Sequence, residues 1–393
     1  MAAPARRTWR AAGPQSVTFV ELFFDLVFVF AVTQITALTA NHLTPDGVLR
    51  SVLLFWLIWW AWTQFTWTLN PADTTAHGVR VLTLVATGVA FVMATSVPRA
   101  FEDDALWFAV PYVVVRILGM WLQVRVDTEH AESDHAAIRR WVWMSSVGLV
   151  LVTAGAIADP GLRPALWLLA IGADLVAAAV AGRRATWDLN AAHLSERHGL
   201  IVIVALGESL IVAGAAIAGA ERTRDLVAAV GASIVVASLL WWTYFGWLKD
   251  ALEHACAKVG PTEIGPVARD AFSLAHFPLV CGIIGFAAAV EEIVLHPDEP
   301  AKAAVVAALG IGIALFVGAS ALAYWRLYRR VLVVRLAILV VMAGGLVVVA
   351  PLAPVWPLVV VAAALAAIVL AEARHATSAP AAGHPAPGVT SGP

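Results

Sequence analysis

Residues 17–38 read VTFVELFFDLVFVFAVTQITAL, and within them only Glu21 and Asp25 carry a charge. A helix rises about 1.5 Å per residue, so a run of this length crosses a hydrocarbon layer of roughly 30 Å. Arg6, Arg7 and Arg10 precede it. A secretory signal would have a shorter uncharged core and a small-residue cleavage site, so the run reads as a first membrane helix that is kept. Outward from it the chain behaves alike: 61% of the 393 residues are hydrophobic and 13% are charged. Its mean hydropathy is +0.83. A soluble domain is nearer half apolar and about a quarter charged. Such a composition implies an all-α, polytopic transmembrane helical bundle whose surrounding partner is the lipid bilayer. A net charge of −2, with no basic stripe interleaved with aromatics, argues against a nucleic-acid partner. The two cysteines, Cys256 in a hydrophilic loop and Cys281 in an apolar run, offer neither a disulfide framework nor a cysteine metal site.

Twelve stretches of spanning length follow one another, at 17–38, 48–69, 78–98, 105–124, 141–158, 163–182, 197–219, 226–248, 271–293, 303–324, 331–350 and 355–371. Asn70-Pro71, Asp159-Pro160-Gly161 and His296-Pro297 fall between them, where a chain turns. The expected organisation is an N-terminal segment 1–16, a six-helix half 17–182, a linker 183–196, a second six-helix half 197–371 and a disordered Ala/Pro/Gly-rich tail 372–393. With the N-terminus placed in the cytoplasm, that side collects eighteen Lys and Arg and the other side six. The bias orients the chain in a bacterial inner membrane with both termini cytoplasmic.

A weak internal repeat is also legible. Phe28–Ile35 can be laid on Ile203–Leu210, which sets Thr33 against Glu208, and Glu21 then falls on Glu196. Trp59-Trp60 can be matched to Trp241-Trp242, and His77 to His276. Two parallel halves related by an axis along the membrane normal are a plan used by transporters, with the site between the halves.

Charges inside spans carry the chemistry, because each costs at least ~2.5–3.5 kcal/mol near mid-bilayer and is normally turned inward and paired. Glu21, Asp25, Arg116, Asp174, Glu208 and His276 qualify by position. Glu21 and Asp25 are four apart and share a helix face. Arg116 is read as their counter-charge or as an anion ligand, Glu208 as the proton-carrying or cation-binding carboxylate, and His276 as a relay. The blander reading, a set of structural pairs, is weakened by the surplus of acid over fixed base. The stripe Trp56, Trp59, Trp60, Trp67 has helical spacing and reads as packing and interface anchoring. Asp127, Glu129, His130, Glu132, Asp134 and His135 crowd the stretch 125–140 without regular ligand spacing, and read as a solvated loop rather than a metal site. Neither a phosphate-binding Gly loop nor a nucleophile elbow is present; Ser209 lies within a helical run.

At residues 20–29, VELFFDLVFV, the chain resembles the bacterial low temperature requirement A family, whose opening signature is E-L-F-F-D-L-V-F-V. Glu196-Arg-His-Gly-Leu200 with Ala205-Leu-Gly-Glu-Ser209, and His276-Phe-Pro-Leu279, resemble two further segments of that family. The resemblance spans roughly 15–370 and highlights Glu21, Phe24, Asp25, Gly207, Glu208, Ser209 and His276. It implies a multi-pass membrane protein linked by name to growth in the cold, and supplies no substrate. The combined expectation is a secondary transporter of an unknown small molecule or ion, coupled to protons. It has no cofactor, metal or catalytic residue, and its pathway uses Glu21, Asp25, Arg116, Glu208, Ser209 and His276. The alternative is a non-transporting membrane sensor or scaffold of cold or stress adaptation.

Overall fold

The computed structural model describes residues 9–129, 135–181 and 187–378. These residues form helices α1 (Phe19–Asn41), α2 (Pro45–Leu69), α3 (His77–Thr95), α4 (Ala105–Thr128), α5 (His135–Ile157), α6 (Arg163–Ala181) and α7 (Ala191–Gly219). They continue with α8 (Arg224–Phe245), α9 (Leu248–Cys256), α10 (Ile264–Ala268), α11 (Ala275–Leu295), α12 (Ala303–Tyr328), α13 (Val333–Val349) and α14 (Val355–Ser378). Eleven segments are long and apolar enough to cross a membrane, with α8–α9 and α10–α11 each counted as one; the 17-residue α13 is a shorter apolar twelfth. The chain is therefore a polytopic helical membrane protein. Its outer surface carries large apolar side chains such as Val150, Leu169, Val340 and Val347, the surface lipid requires.

Packing follows side-chain size. Gly282 of α11 and Gly312 of α12 meet so closely that a Cβ on Gly282 would stand 2.4 Å from the Gly312 carbonyl oxygen. Small residues let helix backbones approach in this way where no hydrophobic effect drives them together. Neighbour relations recur between the halves. α1 packs on α3 as α7 packs on α11, and α3 on α4 as α11 on α12. The pairs α4–α5, α5–α6 and α2–α6 have counterparts in α12–α13, α13–α14 and α8–α14. α1 and α7 meet each other, and α11 reaches across to α1 while α3 makes no comparable contact with α7.

Several sequence expectations need correction. α7 begins at Ala191, capped by the Asn190 side chain, which accepts from the His193 backbone N–H. Residues 191–196 are thus helix rather than linker, and polar His193, Ser195 and Glu196 hid this extension from a hydropathy reading. α14 runs to Ser378, beyond the expected start of the tail at 372; the tail from 379 and linker residues 183–186 lie outside the described residues. Cys256 is buried on amphipathic α9, not in a hydrophilic loop. The residues paired by the internal repeat differ in their surroundings. Trp241 and Trp242 are exposed where Trp59 is buried, and exposed His77 opens α3 whereas His276 is buried well inside the Ile264–Leu295 run.

Candidate functional site

α1 carries Glu21 and Asp25 on one face, and α7 lays Arg197 against both. Arg197 Nη1 donates to Glu21 Oε2 at 2.9 Å and Nη2 to Asp25 Oδ1 at 2.5 Å. The guanidinium is suited to this, since its planar fork can bridge two carboxylates one turn apart. Val17 N–H donates to Glu196, and farther along Thr33 Oγ1 donates to Glu208 Oε2 at 2.6 Å. Contacts that climb together in both helices mean that α1 and α7 run parallel. Glu21, Asp25 and Arg197 are all buried.

Each partner is itself held. Glu21 Oε1 accepts from the Thr18 N–H and hydroxyl at the start of α1. Asp25 Oδ1 also accepts the Trp62 indole N–H at 2.7 Å, and the Arg197 guanidinium lies over the Trp62 ring. Asn70 is oriented by Asn190, whose backbone N–H donates to Asn70 Oδ1 and whose carbonyl accepts from Asn70 Nδ2. That amide N–H also faces His193 Nδ1 at 3.3 Å, so the His193 proton sits on Nε2. His193 Nε2 stands 2.9 Å from Glu21 Oε2, within ion-pair distance though not aligned as a hydrogen bond.

An aromatic group continues from Trp62. The His198 ring meets Trp62 at 5.1 Å, Phe272 at 5.3 Å and His276 at 5.1 Å between centroids. His276 Nε2 pairs with the Tyr244 hydroxyl at 2.7 Å, and its Nδ1 with the Ala271 carbonyl. Ala271 belongs to a π-helical stretch, Arg269–Leu274, whose Ser273 carbonyl accepts the Trp59 N–H and whose Ser273 hydroxyl accepts the Trp67 N–H. Such a wide turn is what Pro278 would impose four residues after Leu274, because its ring excludes the i−4 carbonyl and lacks an N–H. The tryptophan stripe, expected to serve packing, thus also holds the backbone that positions His276.

Several polar atoms buried here have no protein partner: Asp25 Oδ2, Arg197 Nε, His198 Nε2 and Ser195 Oγ. Buried polar groups are normally paired, and exceptions gather at sites of function. A short extended segment closes the end of the bundle that holds the N-terminus. Arg10 pairs with Asp188, the Trp9 and Arg10 N–H groups donate to Glu129, and the Gln15 amide donates to the Ala72 carbonyl.

The site differs from the sequence expectation in its cation. Arg116 does not reach Glu21 or Asp25. It forms a bidentate pair with Asp174 at 2.9 Å for both contacts, and its remaining donors go to Gln64 and Tyr112. The pair belongs to the packing of α2, α4 and α6. Arg197 and Arg335, which belong to the eighteen charges counted for the N-terminal side, are both buried in helices; Arg335 pairs with Glu372. The acidic surplus is smaller than the span-by-span count implied. Glu208 lies on the same seam as Asp25, but farther from the N-terminal end, with Thr33 as its partner and Glu291 within electrostatic reach. Ser209 donates to the Leu206 carbonyl inside its own helix. Glu21, Asp25 and, through Trp62 and His198, His276 come together; Arg116, Glu208 and Ser209 do not join them. Among the described residues no three His, Cys, Asp or Glu side chains are grouped to hold a metal. His130, Glu132 and Asp134 of the acidic stretch lie outside those residues.

A family model described as bacterial low temperature requirement A protein (LtrA) matches residues 16–370, a range that contains the whole cluster. The chain belongs to that family. A relative within reach of comparison is the protein called uncharacterized protein RA0937 of Rhizobium meliloti (strain 1021), 30% identical over 292 residues, which cover 72% of this chain and 70% of that one. No solved structure matches. For this member of the low temperature requirement A family, sequence reasoning missed Arg197, His193, His198 and Trp62. Arg197 was findable: it follows Glu196 inside a motif already singled out and opens the expected span 197–219.

Proposed function

We propose that the chain is a secondary transporter coupled to protons, working in a bacterial inner membrane with both termini cytoplasmic. The observation that carries this is the fully buried Glu21–Arg197–Asp25 cluster at the parallel contact of α1 and α7. Two carboxylates and one guanidinium leave a formal charge of −1 with the histidines neutral, and one carboxylate oxygen of Asp25 has no partner. A buried negative charge in excess invites a proton or a cation, since leaving it unpaired costs several kcal/mol. Taking up a proton on Asp25 loosens its tie to Arg197 and leaves Arg197 with Glu21. That exchange sits where the two six-helix halves would move against each other. Glu208, with Thr33, is a second carboxylate on the same seam, on the periplasmic side of the cluster. We read the activity as transport and not catalysis, because among the described residues no Ser, Thr or Cys side chain is hydrogen-bonded to a histidine.

The test is proteoliposomes loaded with a pH-sensitive dye and challenged with a panel of small metabolites and ions. Wild-type vesicles should move protons with at least one solute, and Asp25→Asn vesicles at least ten-fold more slowly. Wild-type vesicles that stay silent across the panel, and match empty ones, would leave the sensor or scaffold reading in its place.

A further inference from the structure

We infer that the solute exchanged for the proton is a small protonated amine, with ammonium as its simplest member, bound between Asp25 and His198 against the faces of Trp59 and Trp62. This rests on the transporter reading above and names its cargo.

The argument begins with hydrogen-bond roles. His198 Nδ1 faces the Leu194 carbonyl at 2.9 Å, and a carbonyl only accepts, so Nδ1 carries the proton. In the neutral ring Nε2 is then a bare acceptor, and it has no donor. Asp25 Oδ2 is likewise a buried acceptor without a donor. Both residues lie against the same indole: Asp25 takes the Trp62 N–H, and His198 packs edge-on to the Trp62 ring. Two unmet acceptors therefore stand on residues that share one indole neighbour, beside a cluster that carries one excess negative charge.

What would satisfy them is a group that donates hydrogen bonds and is positive. The walls point the same way. Trp59, Trp62 and Phe272 surround His198, and Trp59 lies 4.9 Å from Trp62 between centroids. Aromatic faces attract cations through their quadrupole, Trp most of all. A bare alkali ion is served poorly here, because hard cations seek about six oxygen ligands and the acceptors are one carboxylate oxygen and one imidazole nitrogen. An ammonium group has N–H bonds to offer to both acceptors and needs no oxygen shell. Of the neighbouring groups, Arg197 of α7 lies over the Trp62 ring and gives Nη1 and Nη2 to the two carboxylates, and Tyr244 of α8 and His276 of α11 pair with each other. Proton and amine would thus neutralise the same charge in turn, which makes the two mutually exclusive and the exchange obligatory.

The experiment uses the full chain in lipid nanodiscs and radiolabelled methylammonium at equilibrium. Saturable binding near one per chain is expected, displaced by unlabelled ammonium and at least a hundred-fold less effectively by sodium or potassium. Asp25→Asn and His198→Phe should each weaken binding at least ten-fold, and Glu299→Gln, a change on an exposed carboxylate, should not. The competition series on the unmodified chain decides the matter even where a variant fails to fold. Absence of saturable binding, equal displacement by sodium, or binding indifferent to both substitutions overturns the amine site. Methylammonium binding in a chain that moves no protons would remove the transporter reading and keep the site. Proton movement with another solute, and no methylammonium binding, would do the reverse.

Discussion

Arg116 and Arg197 are both fully buried, yet their surroundings give them different roles. Arg116 makes two contacts to one carboxylate and one each to Gln64 and Tyr112, so each of its nitrogens has a partner, while Arg197 bridges two carboxylates and keeps an unpaired Nε. Removing one partner of a buried pair costs about 3–5 kcal/mol, whereas replacing both with apolar residues of similar size is often neutral. Arg116→Ala should therefore lower membrane abundance and melting temperature sharply. The double change Arg116→Met with Asp174→Leu should restore both and leave proton movement intact. Were that double variant folded but inactive, Arg116 would belong to the pathway after all. For Glu208, a Gln keeps an acceptor for the Thr33 hydroxyl and removes the charge. Abundance of Glu208→Gln should stay near wild type while proton movement drops at least ten-fold, and an abundant, fully active variant reduces Glu208 to a hydrogen-bonding residue. Residue types and depths were legible in the sequence because the insertion cost depends on them alone. Partners were not: which guanidinium meets Glu21 is decided by helix neighbours, and no spacing within one chain segment encodes that α1 lies beside α7 and not beside α4.

Helices existed where apolar length demanded them, and their ends moved where polar residues continued the helix. The first turns of α7 and the last of α14 are helical because their polar side chains find buried partners, Asn70 and Glu21 for His193 and Arg335 for Glu372. Hydropathy alone reads such turns as loop. The π-helical stretch ahead of α11 is a feature that no periodicity reveals, although Pro278 could have signalled it. Its consequence is testable. Pro278→Ala restores an N–H for the Leu274 carbonyl and should let Arg269–Leu274 relax towards α-helix. A register change of one residue turns a side chain by about 100°, enough to carry His276 away from Tyr244 and His198. The variant should melt at a higher temperature, since an interior proline costs about 3 kcal/mol, and should lose proton movement. A variant with raised stability and undiminished activity would show that the wide turn is only tolerated.

At the scale of the whole molecule, the number of crossings rests on α13. With 17 residues it is the shortest apolar member of the set, and most of its side chains face outward. At about 1.5 Å per residue it spans roughly 25 Å, just short of an average hydrocarbon core, which a bilayer accommodates by local thinning. The charges decide whether it crosses. Arg335, three residues into α13, pairs with Glu372 near the end of α14, with Nε to Oε1 at 2.6 Å, and Arg335 also donates to Ser320 of α12 and to the Thr243 carbonyl of α8. The start of α13 and the end of α14 are therefore at one depth, so the two helices form a hairpin whose turn lies at the far side. α14 is long enough to cross, and α13 must return over the same distance. Reporter fusions after residues 330 and 378 should accordingly read the same side as one after residue 187, and a fusion after residue 352 the opposite side. In the orientation proposed from the eighteen-to-six bias of Lys and Arg in the sequence, that shared side would be the cytoplasm. A fusion after 352 that reads cytoplasmic would mean that α13 lies along the membrane surface. The tail would then sit in the periplasm, and the correspondence between α5–α6 and α13–α14 would fail with it.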